Sequence, residues 1–596
     1  MRILFLLLLV LFTTGYSQGY RGAELRTLEP LLYGKFEVCY KPAQGEGLVS
    51  SFFTYNDDHP NTPWNEIDIE LLGRFPNVVD MNVITNTSHL RTHFTTLDTH
   101  IDFNEYGFEW TPDYVAWFIN GEEVYRQTDE HIADLTHPSK LMMNIWNPVY
   151  DDWVGVWDDR VLPRFAYYDW VRYSSYTPGS GNSGTDNNFT FQWQDDFNDF
   201  DDSRWEKKHN HTWGGNQSTF IRENIVFEDG YLILCLTSED NIGYQDQEKP
   251  VLLWARARGD SIMAQFSEEL DPESSQNESN FSVSGANVIS AELMGNLRTV
   301  KLKVSDMSLE ENHNLIIFGI EDDNDPPNVQ MAQSVQIEMP QPLSFPLRVN
   351  NAGGEFGDYE ADQLWSSSVE YGHMNGNYQV TEQEIGNTDQ DPLYRESLNR
   401  IVAYKARVPN GIYSVTLKLS ENYYNEADIR SFDIYAEDSM MVSNLDVYAQ
   451  AGKNNAFDTT ISEIVIDDGI LDLYFSAVKY GEGYEYAGPF LNGIEINLVQ
   501  ELSNDIIQAK DFSISSPYPN PFNNKLTIPI EVKKHGEVRI EIFNISGQLL
   551  DVIHQGHLET GNHELIWDAK NYSSGLYIIQ TSLNNKIKYE KTILLK

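Results

Sequence analysis

The stretch PWNEIDIELLG, residues 63–73, alternates acidic and aliphatic side chains from Glu66 onward. Side chains of a β-strand point to opposite faces in turn, so a strand here puts Glu66, Asp68 and Glu70 on one face. A solvated outer face explains such a pattern in many sheets. However, adjacent like charges repel and strands contain few acids, so a functional site explains the pattern about as well as a solvated face does. The strand alone leaves both explanations open.

Short alternating runs of this kind recur along the whole chain of 596 residues, bounded by Gly, Asn, Asp and Pro. Asn-Gly pairs, which favour tight hairpin turns, follow several of them, at Asn120-Gly121, Asn410-Gly411 and Asn492-Gly493. Long apolar repeats of helical period are scarce, so the sequence predicts an all-β protein. The length exceeds what one hydrophobic core supports and predicts three to five domains.

The charge balance limits the partners of this protein. With 41 Lys and Arg against 90 Asp and Glu, the formal net charge is −49. Such a surface repels nucleic acid and anionic membranes, and it suits a soluble exported protein that acts on a neutral ligand. We expect a monomer.

The first residues, MRILFLLLLVLFTTGYSQ, have one Arg, a short apolar core and then small polar residues. This pattern predicts a secretory signal peptide over residues 1–18, and no later stretch is long and apolar enough to span a membrane. Export permits a disulfide between the two cysteines, Cys39 and Cys235. Both lie in strand-like runs, so two buried free thiols are an equally good interpretation.

Aromatic residues cluster near the triple acid. The segment 106–126 reads as a hairpin rich in aromatics, and the segment 140–157 supplies Trp146, Trp153 and Trp157. A sugar ring offers C–H faces to aromatic rings and hydroxyl edges to polar groups, so tryptophans beside carboxylates favour a carbohydrate cleft. Core packing is the better explanation for any single tryptophan, but it accounts poorly for the combination.

Six segments in this region resemble family-16 glycoside hydrolases, and specifically lichenases (endo-1,3-1,4-β-glucanases). They run in order through residues 20–176: RGAELRTLEPLLYGKFEV, GLVSSFFTY, PWNEIDIELLG, YGFEWTPDYVAWFING, KLMMNIWN and FAYYDWVRY. The uninterrupted EIDIE form resembles lichenases and xyloglucan-active relatives, whereas laminarinases usually carry one extra residue. The resemblance implies a β-jelly-roll (concanavalin-like sandwich) and no cofactor for catalysis.

The resemblance also implies residue roles. Glu66 is expected to be the nucleophile and Glu70 the general acid and then base of a retaining mechanism. Asp68 is expected to orient the nucleophile and to add charge that keeps Glu70 protonated. Asn65 stands where many relatives have Asp, and Ile84 stands where some have Tyr. The positions implied to contact the substrate are Glu24, Arg26, Phe53, Trp64, Asn82, Asn144, Trp146, Trp153, Trp213 and Asn216.

The order of the segments differs from that of most lichenases. In most lichenases a strand pair with a stacking Trp comes first, whereas here the matching residues, 191–238, follow a Gly/Ser/Asn-rich segment. We therefore expect a circularly permuted jelly roll over residues 19–240, joined by a flexible linker at 177–188. Lichenases often bind a structural calcium, and the matching positions are Asp169, Asp196 and Gly230.

Three further segments follow. Residues 246–340 resemble an immunoglobulin-like spacer. Residues 345–499 resemble a malectin-type β-sandwich, which implies carbohydrate binding, with Tyr371 and Tyr423 as weak candidates for ligand contact. Residues 512–596, with YPNPF and SSGLYII, resemble the C-terminal sorting domain of type IX secretion, a small β-sandwich. The resemblance implies export to the surface or medium of a Gram-negative bacterium.

Three hypotheses about function result. The first is a secreted retaining endo-β-glucanase (licheninase) that acts on mixed-linkage β-glucan. The second is a family-16 enzyme that acts on xyloglucan or β-1,3-glucan. The third is a non-catalytic, carbohydrate-binding surface protein, which ranks below the others because all three acids are present.

Overall fold

The computed structural model describes residues 19–596 except 259, 309–310, 325, 342, 481–487, 502–511, 515–516, 519–521, 533–535, 545–548, 559, 573–574, 584–585 and 595. The predicted signal peptide, residues 1–18, lies outside this range. The described chain is almost entirely strands joined by turns, which confirms the all-β prediction. Among these residues, no helix has both the length and the apolarity needed to cross a bilayer.

The N-terminal region forms one large, mainly antiparallel sheet. Its main path has the order β6-β5-β4-β3-β10-β1-β16-β11-β2-β7-β8-β9. Its elements are β1 (Tyr20–Thr27), β2 (Gly34–Lys41), β3 (Val49–Tyr55), β4 (Glu66–Leu72), β5 (Val78–Ile84), β6 (Arg91–Phe94), β7 (Asn104–Trp110), β8 (Val115–Ile119), β9 (Glu122–Gln127), β10 (Lys140–Trp146), α1 (Asp151–Val154), β11 (Arg164–Tyr176), β12 (Phe189–Asp195), β13 (Trp205–Lys207), β14 (Ser218–Phe220), β15 (Ile225–Glu228) and β16 (Tyr231–Ser238). Short 3₁₀ turns lie at Glu130–Asp134, Asp159–Val161, Thr185–Asn187 and Arg222–Asn224.

The two halves of this sheet pack face to face, as the jelly-roll prediction requires. Phe52 of β3 and Phe108 of β7 are fully buried, and their ring centroids are 5.8 Å apart. The indole N–H of Trp117 on β8 donates across the interior to the backbone oxygen of Asp68 on β4, at 3.0 Å. The aliphatic face of the EIDIE strand therefore points into this core, and its acidic face points away from it.

Residues beyond the Gly/Ser/Asn-rich segment complete the same sheet. Strand β16 lies between β1 and β11, and β12 pairs with β11. The connecting residues 177–188 form a hydrogen-bonded loop, in which the N–H of Thr177 donates to the oxygen of Asn188 at 2.7 Å and the N–H of Thr185 donates to Glu109 Oε1 at 2.9 Å. The two cysteines, Cys39 and Cys235, are buried free thiols, so the interpretation as two free thiols holds.

The next region is a seven-stranded sheet of order β19-β22-β23-β17-β18-β21-β20. Strand β17 pairs in parallel with β23 and antiparallel with β18, around a continuous aliphatic core. Its elements are β17 (Leu252–Arg258), β18 (Ser261–Phe266), α2 (Pro272–Ser275), a 3₁₀ turn (Glu278–Asn280), β19 (Phe281–Val283), β20 (Asn287–Leu293), β21 (Thr299–Ser305), β22 (Asn314–Glu321) and β23 (Val329–Glu338).

The segment that follows has two five-stranded sheets, β25-β24-β36-β30-β33 and β26-β29-β34-β31-β32, and a three-stranded sheet, β27-β28-β35. We call residues 345–499 the malectin-type module. Its elements are β24 (Leu347–Asn350), β25 (Glu360–Ala361), β26 (Tyr371–Met374), β27 (Asn377–Val380), α3 (Asp391–Arg395), β28 (Glu396–Asn399), β29 (Ala403–Arg407), β30 (Gly411–Leu419), β31 (Arg430–Ala436), β32 (Ser439–Leu445), α4 (Val447–Ala451), β33 (Phe457–Ile466), β34 (Ile470–Tyr480), β35 (Phe490–Leu491) and β36 (Gly493–Glu501).

The chain divides into two compact units. One runs to residue 408 and includes 414–464 and 470–497, and the other holds 409–413, 465–469 and 498–596. The C-terminal segment has two small sheets, β37-β38-β41 and β40-β39-β42-β43. Its strands are β37 (Phe512–Ile514), β38 (Lys525–Val532), β39 (Gly536–Asn544), β40 (Leu549–Leu558), β41 (Gly561–Asp568), β42 (Gly575–Leu583) and β43 (Lys586–Leu594).

Candidate active site

The register of the first sheet places the acids in a row of polar side chains. Glu70 on β4 is opposite Ser51 on β3 and Asp80 on β5, and Ser51 is opposite Asn144 on β10. Asn144 is in turn opposite Glu24 on β1. Directly opposed residues of antiparallel strands share a face, so this row crosses the sheet on the face that carries the acids.

A second row lies two residues along. Asp68 is opposite Phe53 on one side and Asn82 on the other, and the row reaches Arg26 through β10. The structure therefore brings together Glu24, Arg26, Phe53, Asn82 and Asn144 around the acids. Glu24 and Arg26 form an ion pair in which both side chains are buried.

The predicted tryptophans border the same face. Trp64 donates its indole N–H to Glu66. The ring of Trp146 packs 4.9 Å from that of Trp213 and 6.1 Å from that of Trp153, centroid to centroid. Trp213 comes from the segment beyond the loop and leaves 37% of its surface exposed. Aromatic rings of this kind are suited to packing against the C–H faces of sugar rings.

The hydrogen bonds of Glu66 stabilise its anionic form. Trp64 Nε1 donates to Glu66 Oε2 at 2.5 Å, and Asp68 also hydrogen-bonds the Glu66 side chain. Burial raises the pKa of Glu66 to about 7, and these two hydrogen bonds act in the opposite direction. Asp68 is buried, and its pKa is raised well above the usual value by burial and then by the charges of Glu66 and Glu70. The negative charge of Glu66 therefore disfavours ionisation of Asp68.

The environment of Glu70 stabilises the protonated form. Burial raises its pKa well above the usual value, followed by the charges of Asp80 and then Glu66. Asp80 has the larger of these two charge effects on the pKa of Glu70. Asp68 and Glu70 also interact, because the charge of Glu70 is among the causes that raise the pKa of Asp68. The effect expected of Asp68 on Glu70 stays a prediction.

Asp80 is the main residue that sequence reasoning missed. Its carboxylate accepts from Thr92 Oγ1 at 2.7 Å and from Trp153 Nε1 at 3.0 Å. Burial raises its pKa, and these bonds together with the charge of Arg400 from the malectin-type module oppose the rise. The signal was available, because Asp80 lies two residues before Asn82 and therefore on the same face of β5.

Several buried polar atoms in these strands or in the loops beside them have no hydrogen-bond partner within the described protein. They are Ser51 Oγ, Asn144 Oδ1, both amide atoms of Asn147, and Asn216 Nδ2. Asn144 and Asn216 were predicted to contact sugar, whereas Ser51 and Asn147 were not predicted. Buried unpaired donors and acceptors are costly, so a ligand with many hydroxyl groups suits these positions.

Asn65, which replaces the Asp of many relatives, has a structural role. Its Nδ2 donates to the backbone oxygen of Asp134 at 3.0 Å, and its Oδ1 accepts from the N–H of His137 at 2.7 Å. A carboxylate cannot donate the first of these bonds. The amide thus holds the 134–137 loop behind the acidic strand.

The predicted calcium positions lie on a different part of the sheet. Asp169 sits at an irregularity of β11, and its pKa is raised by burial and by the nearby charge of Asp196. Gly230 lies in the β15–β16 turn, where an added Cβ would be 3.9 Å from Asn198 Oδ1. Asp169 and Asp196 offer carboxylate oxygens, which are the ligand type that Ca²⁺ prefers.

Comparisons with known proteins match the N-terminal region to one family. The family model for glycosyl hydrolases family 16 matches residues 10–156. A "Beta-glucanase" of Fibrobacter succinogenes is 38% identical over 245 residues, covering 40% of this chain and 69% of that protein. A "Beta-glucanase" of Brevibacillus brevis is 44% identical over 166 residues, covering 27% of this chain and 63% of that protein. A solved β-1,3-1,4-glucanase (lichenase) derived from a mouse hindgut metagenome is 37% identical, with a TM-score of 0.23, covering 26% of this chain and 80% of its own.

Two further family models match the remainder of the chain. The malectin domain matches residues 347–494, and the secretion system C-terminal sorting domain matches residues 516–596. The sorting domain directs the protein to the type IX system of Gram-negative bacteria, and so to the cell surface or the medium. The family is identified by the N-terminal match and by the Fibrobacter succinogenes relative, of which more than two thirds is covered. The chain belongs to family 16 of the glycosyl hydrolases.

Proposed function

We propose that the protein is a retaining endo-β-glucanase that hydrolyses β-1,4 bonds in mixed-linkage β-1,3-1,4-glucans by double displacement. The observation that carries the proposal is the difference in surroundings between two acids on one strand. Glu66 has two hydrogen bonds that favour its anion, whereas Glu70 faces two negative neighbours. A nucleophile must be ionised and a general acid protonated at the same pH, so this difference supports one role for each.

In the first step, a carboxylate oxygen of Glu66 attacks the anomeric carbon while the bond to the leaving oxygen breaks. Glu70 gives its proton to that oxygen, which leaves as the hydroxyl of the released chain. Asp68 remains protonated and donates to Glu66, which holds the nucleophile in place.

In the second step, Glu70 is ionised and accepts a proton from water while the water oxygen attacks the anomeric carbon. The ester bond to Glu66 breaks, and the product keeps the original β configuration. The carboxylate of Glu66 is then restored, and the proton that Glu70 accepted from water remains there for the next cycle. A carboxyl separation of about 5–5.5 Å is expected for this mechanism.

Three finer parts of the proposal concern architecture. We infer that residues 19–240 form a circularly permuted catalytic domain, supported by the position of β16 between β1 and β11. The boundaries 246–340, 345–499 and 512–596 for the later domains are proposed on the separate sheets found there. A monomeric state is proposed as well.

A structural calcium bound by Asp169, Asp196 and the Gly230 region is proposed on the proximity of the two carboxylates. Added Ca²⁺ should raise the Tm of the parent above its value in the presence of a chelator, and the rise should grow with the Ca²⁺ concentration. The Asp169→Asn variant should show no such rise. An equal response of the parent and the variant would remove the site from the proposal.

The test of function has a substrate arm and a mechanism arm. Reducing ends should appear from barley β-glucan faster than from laminarin or xyloglucan, and faster release from either of these would favour the second hypothesis. Glu66→Ala should be inactive, and azide should rescue an activated β-glucoside substrate to give the α-glycosyl azide. Glu70→Ala should instead give the β-glycosyl azide, because the covalent intermediate still forms. If both variants gave the same anomer, the assigned roles would be wrong.

A further inference from the structure

The malectin-type module packs against the edge strand of the catalytic sheet. The ring of Phe94 on β6 lies 4.4 Å from that of Tyr435 and 4.8 Å from that of Tyr474, centroid to centroid. The backbone N–H of Phe94 donates to Ser476 Oγ at 3.4 Å. The face with the acids therefore has the module as a neighbour at one end of its row of strands, β6-β5-β4-β3-β10-β1.

This contact extends to the tryptophans of the active site. Trp146 and Trp153 belong to the same apolar cluster as Met374, Trp365 and Val402 of the module. Because large apolar side chains from both domains fill this cluster, the position of the module relative to the cleft is fixed by packing.

A cavity of about 580 Å³ opens where the module meets helix α1. Consecutive residues of α1 have different neighbours: Trp153 hydrogen-bonds Asp80 beside Glu70, whereas Asp152 lines the cavity. The cavity is therefore next to the cleft, with one helical turn between them.

The lining of the cavity has the chemistry of a sugar site. Tyr378 is 55% exposed, and its ring meets His373 edge to face at 5.8 Å. His373 is buried, and its Nδ1 lies 2.8 Å from a carboxylate oxygen of Asp362. Asn377 and Gln379 also line the cavity.

We infer that this cavity is a carbohydrate subsite, built jointly by the module and α1, that takes a neutral glucose unit of the same glucan chain that occupies the cleft. An exposed phenol ring offers a stacking surface, and two amides, an imidazole and a carboxylate offer partners for hydroxyl groups. The described lining contains neither Lys nor Arg, which argues against a phosphate or sulfate ligand. The inference rests on the proposed function, and it makes Tyr378, rather than Tyr371 or Tyr423, the aromatic contact in the module.

The test measures affinity against chain length in the full chain. Glu70→Gln blocks hydrolysis, and calorimetry then gives Kd values for mixed-linkage oligosaccharides of increasing length, from four glucose units upward. Adding Tyr378→Ala should weaken binding of the longest oligosaccharides about tenfold and of the tetrasaccharide less than about twofold, since stacking of one ring is lost. Val380→Ala is the matched control, because Val380 is exposed on the same strand but does not line the cavity.

Each outcome decides the inference. A loss confined to long oligosaccharides supports it, whereas an equal change at all lengths, no change, or an affinity that does not rise with length would overturn it. Hydrolysis by the parent chain is measured separately. If the parent cleaves mixed-linkage glucan but Tyr378→Ala binds long chains normally, the proposed function stands and only the subsite is lost.

Discussion

The hydrogen bond from Trp64 to Glu66 gives a prediction with a defined sign. Trp64→Phe keeps an aromatic ring beside the cleft and removes the N–H that donates to Glu66 Oε2 at 2.5 Å. This bond lowers the pKa of Glu66, so its loss raises that pKa further. The nucleophile then becomes protonated at a higher pH, and the acid limb of the profile of kcat/KM moves to higher pH.

The expected size follows from the type of bond. A hydrogen bond to a charged group contributes about 1.5–3 kcal/mol, which corresponds to about 10- to 150-fold in rate where ionisation of Glu66 limits the reaction. The loss in kcat/KM should therefore be largest on the acid side and should shrink as the pH rises through the new limb.

The assay is the profile of kcat/KM against pH, measured for the parent, Trp64→Phe and Trp213→Phe. Trp213 is also a cleft tryptophan, but it packs on Trp146 and Phe220, so its variant should change KM and leave the acid limb in place. Equal Tm values for the three proteins would show that folding is intact. An acid limb that stays fixed or moves to lower pH in Trp64→Phe would refute the role given to the indole N–H.

Three other perturbations have expected outcomes. Asp80→Asn removes a charge that raises the pKa of Glu70, so the alkaline limb of kcat/KM, where the general acid loses its proton, should move to lower pH; an unchanged limb would contradict this. Phe94→Ala should lower the free energy of unfolding by about 3–5 kcal/mol in urea denaturation, since a ring packed between two domains is lost. The exposed Phe318→Ala is its control, and an equal effect of both would contradict the contact. Asn65→Asp should lower the free energy of unfolding by about 1–3 kcal/mol in the same assay, because the donor to the 134–137 loop is lost. An Asn65→Ser variant with an unchanged free energy of unfolding would contradict that role.

The sequence predicted the acidic face because that prediction needs only local information. Period-2 alternation determines which side chains of one strand share a face, and Glu66, Asp68 and Glu70 follow it. The resemblance then supplied residues on other strands, such as Asn144 and Trp213, and the structure brings them to the same cleft.

Contacts that depend on register or on domain docking were not predicted. Asp80 acts on Glu70 because the β4–β5 pairing sets the two directly opposite, and turn residues alone did not give that register. The charge of Arg400 near Asp80, and the packing of Phe94 on the malectin-type module, join residues more than 300 positions apart. Neither alternation nor a motif carries information about such pairs.

The location of the first strand has a consequence for how the chain acquires its structure. Strand β1 lies in the middle of the sheet, and Arg21 pairs with Thr237 across a separation of more than 200 residues. At about 5–20 residues per second, a ribosome needs about 10–45 seconds to make that interval. Until the later strand emerges, the edge of the first strand that it pairs with stays open. The nascent polypeptide therefore depends on chaperones or on delayed folding for longer than a protein whose neighbouring strands are made in succession.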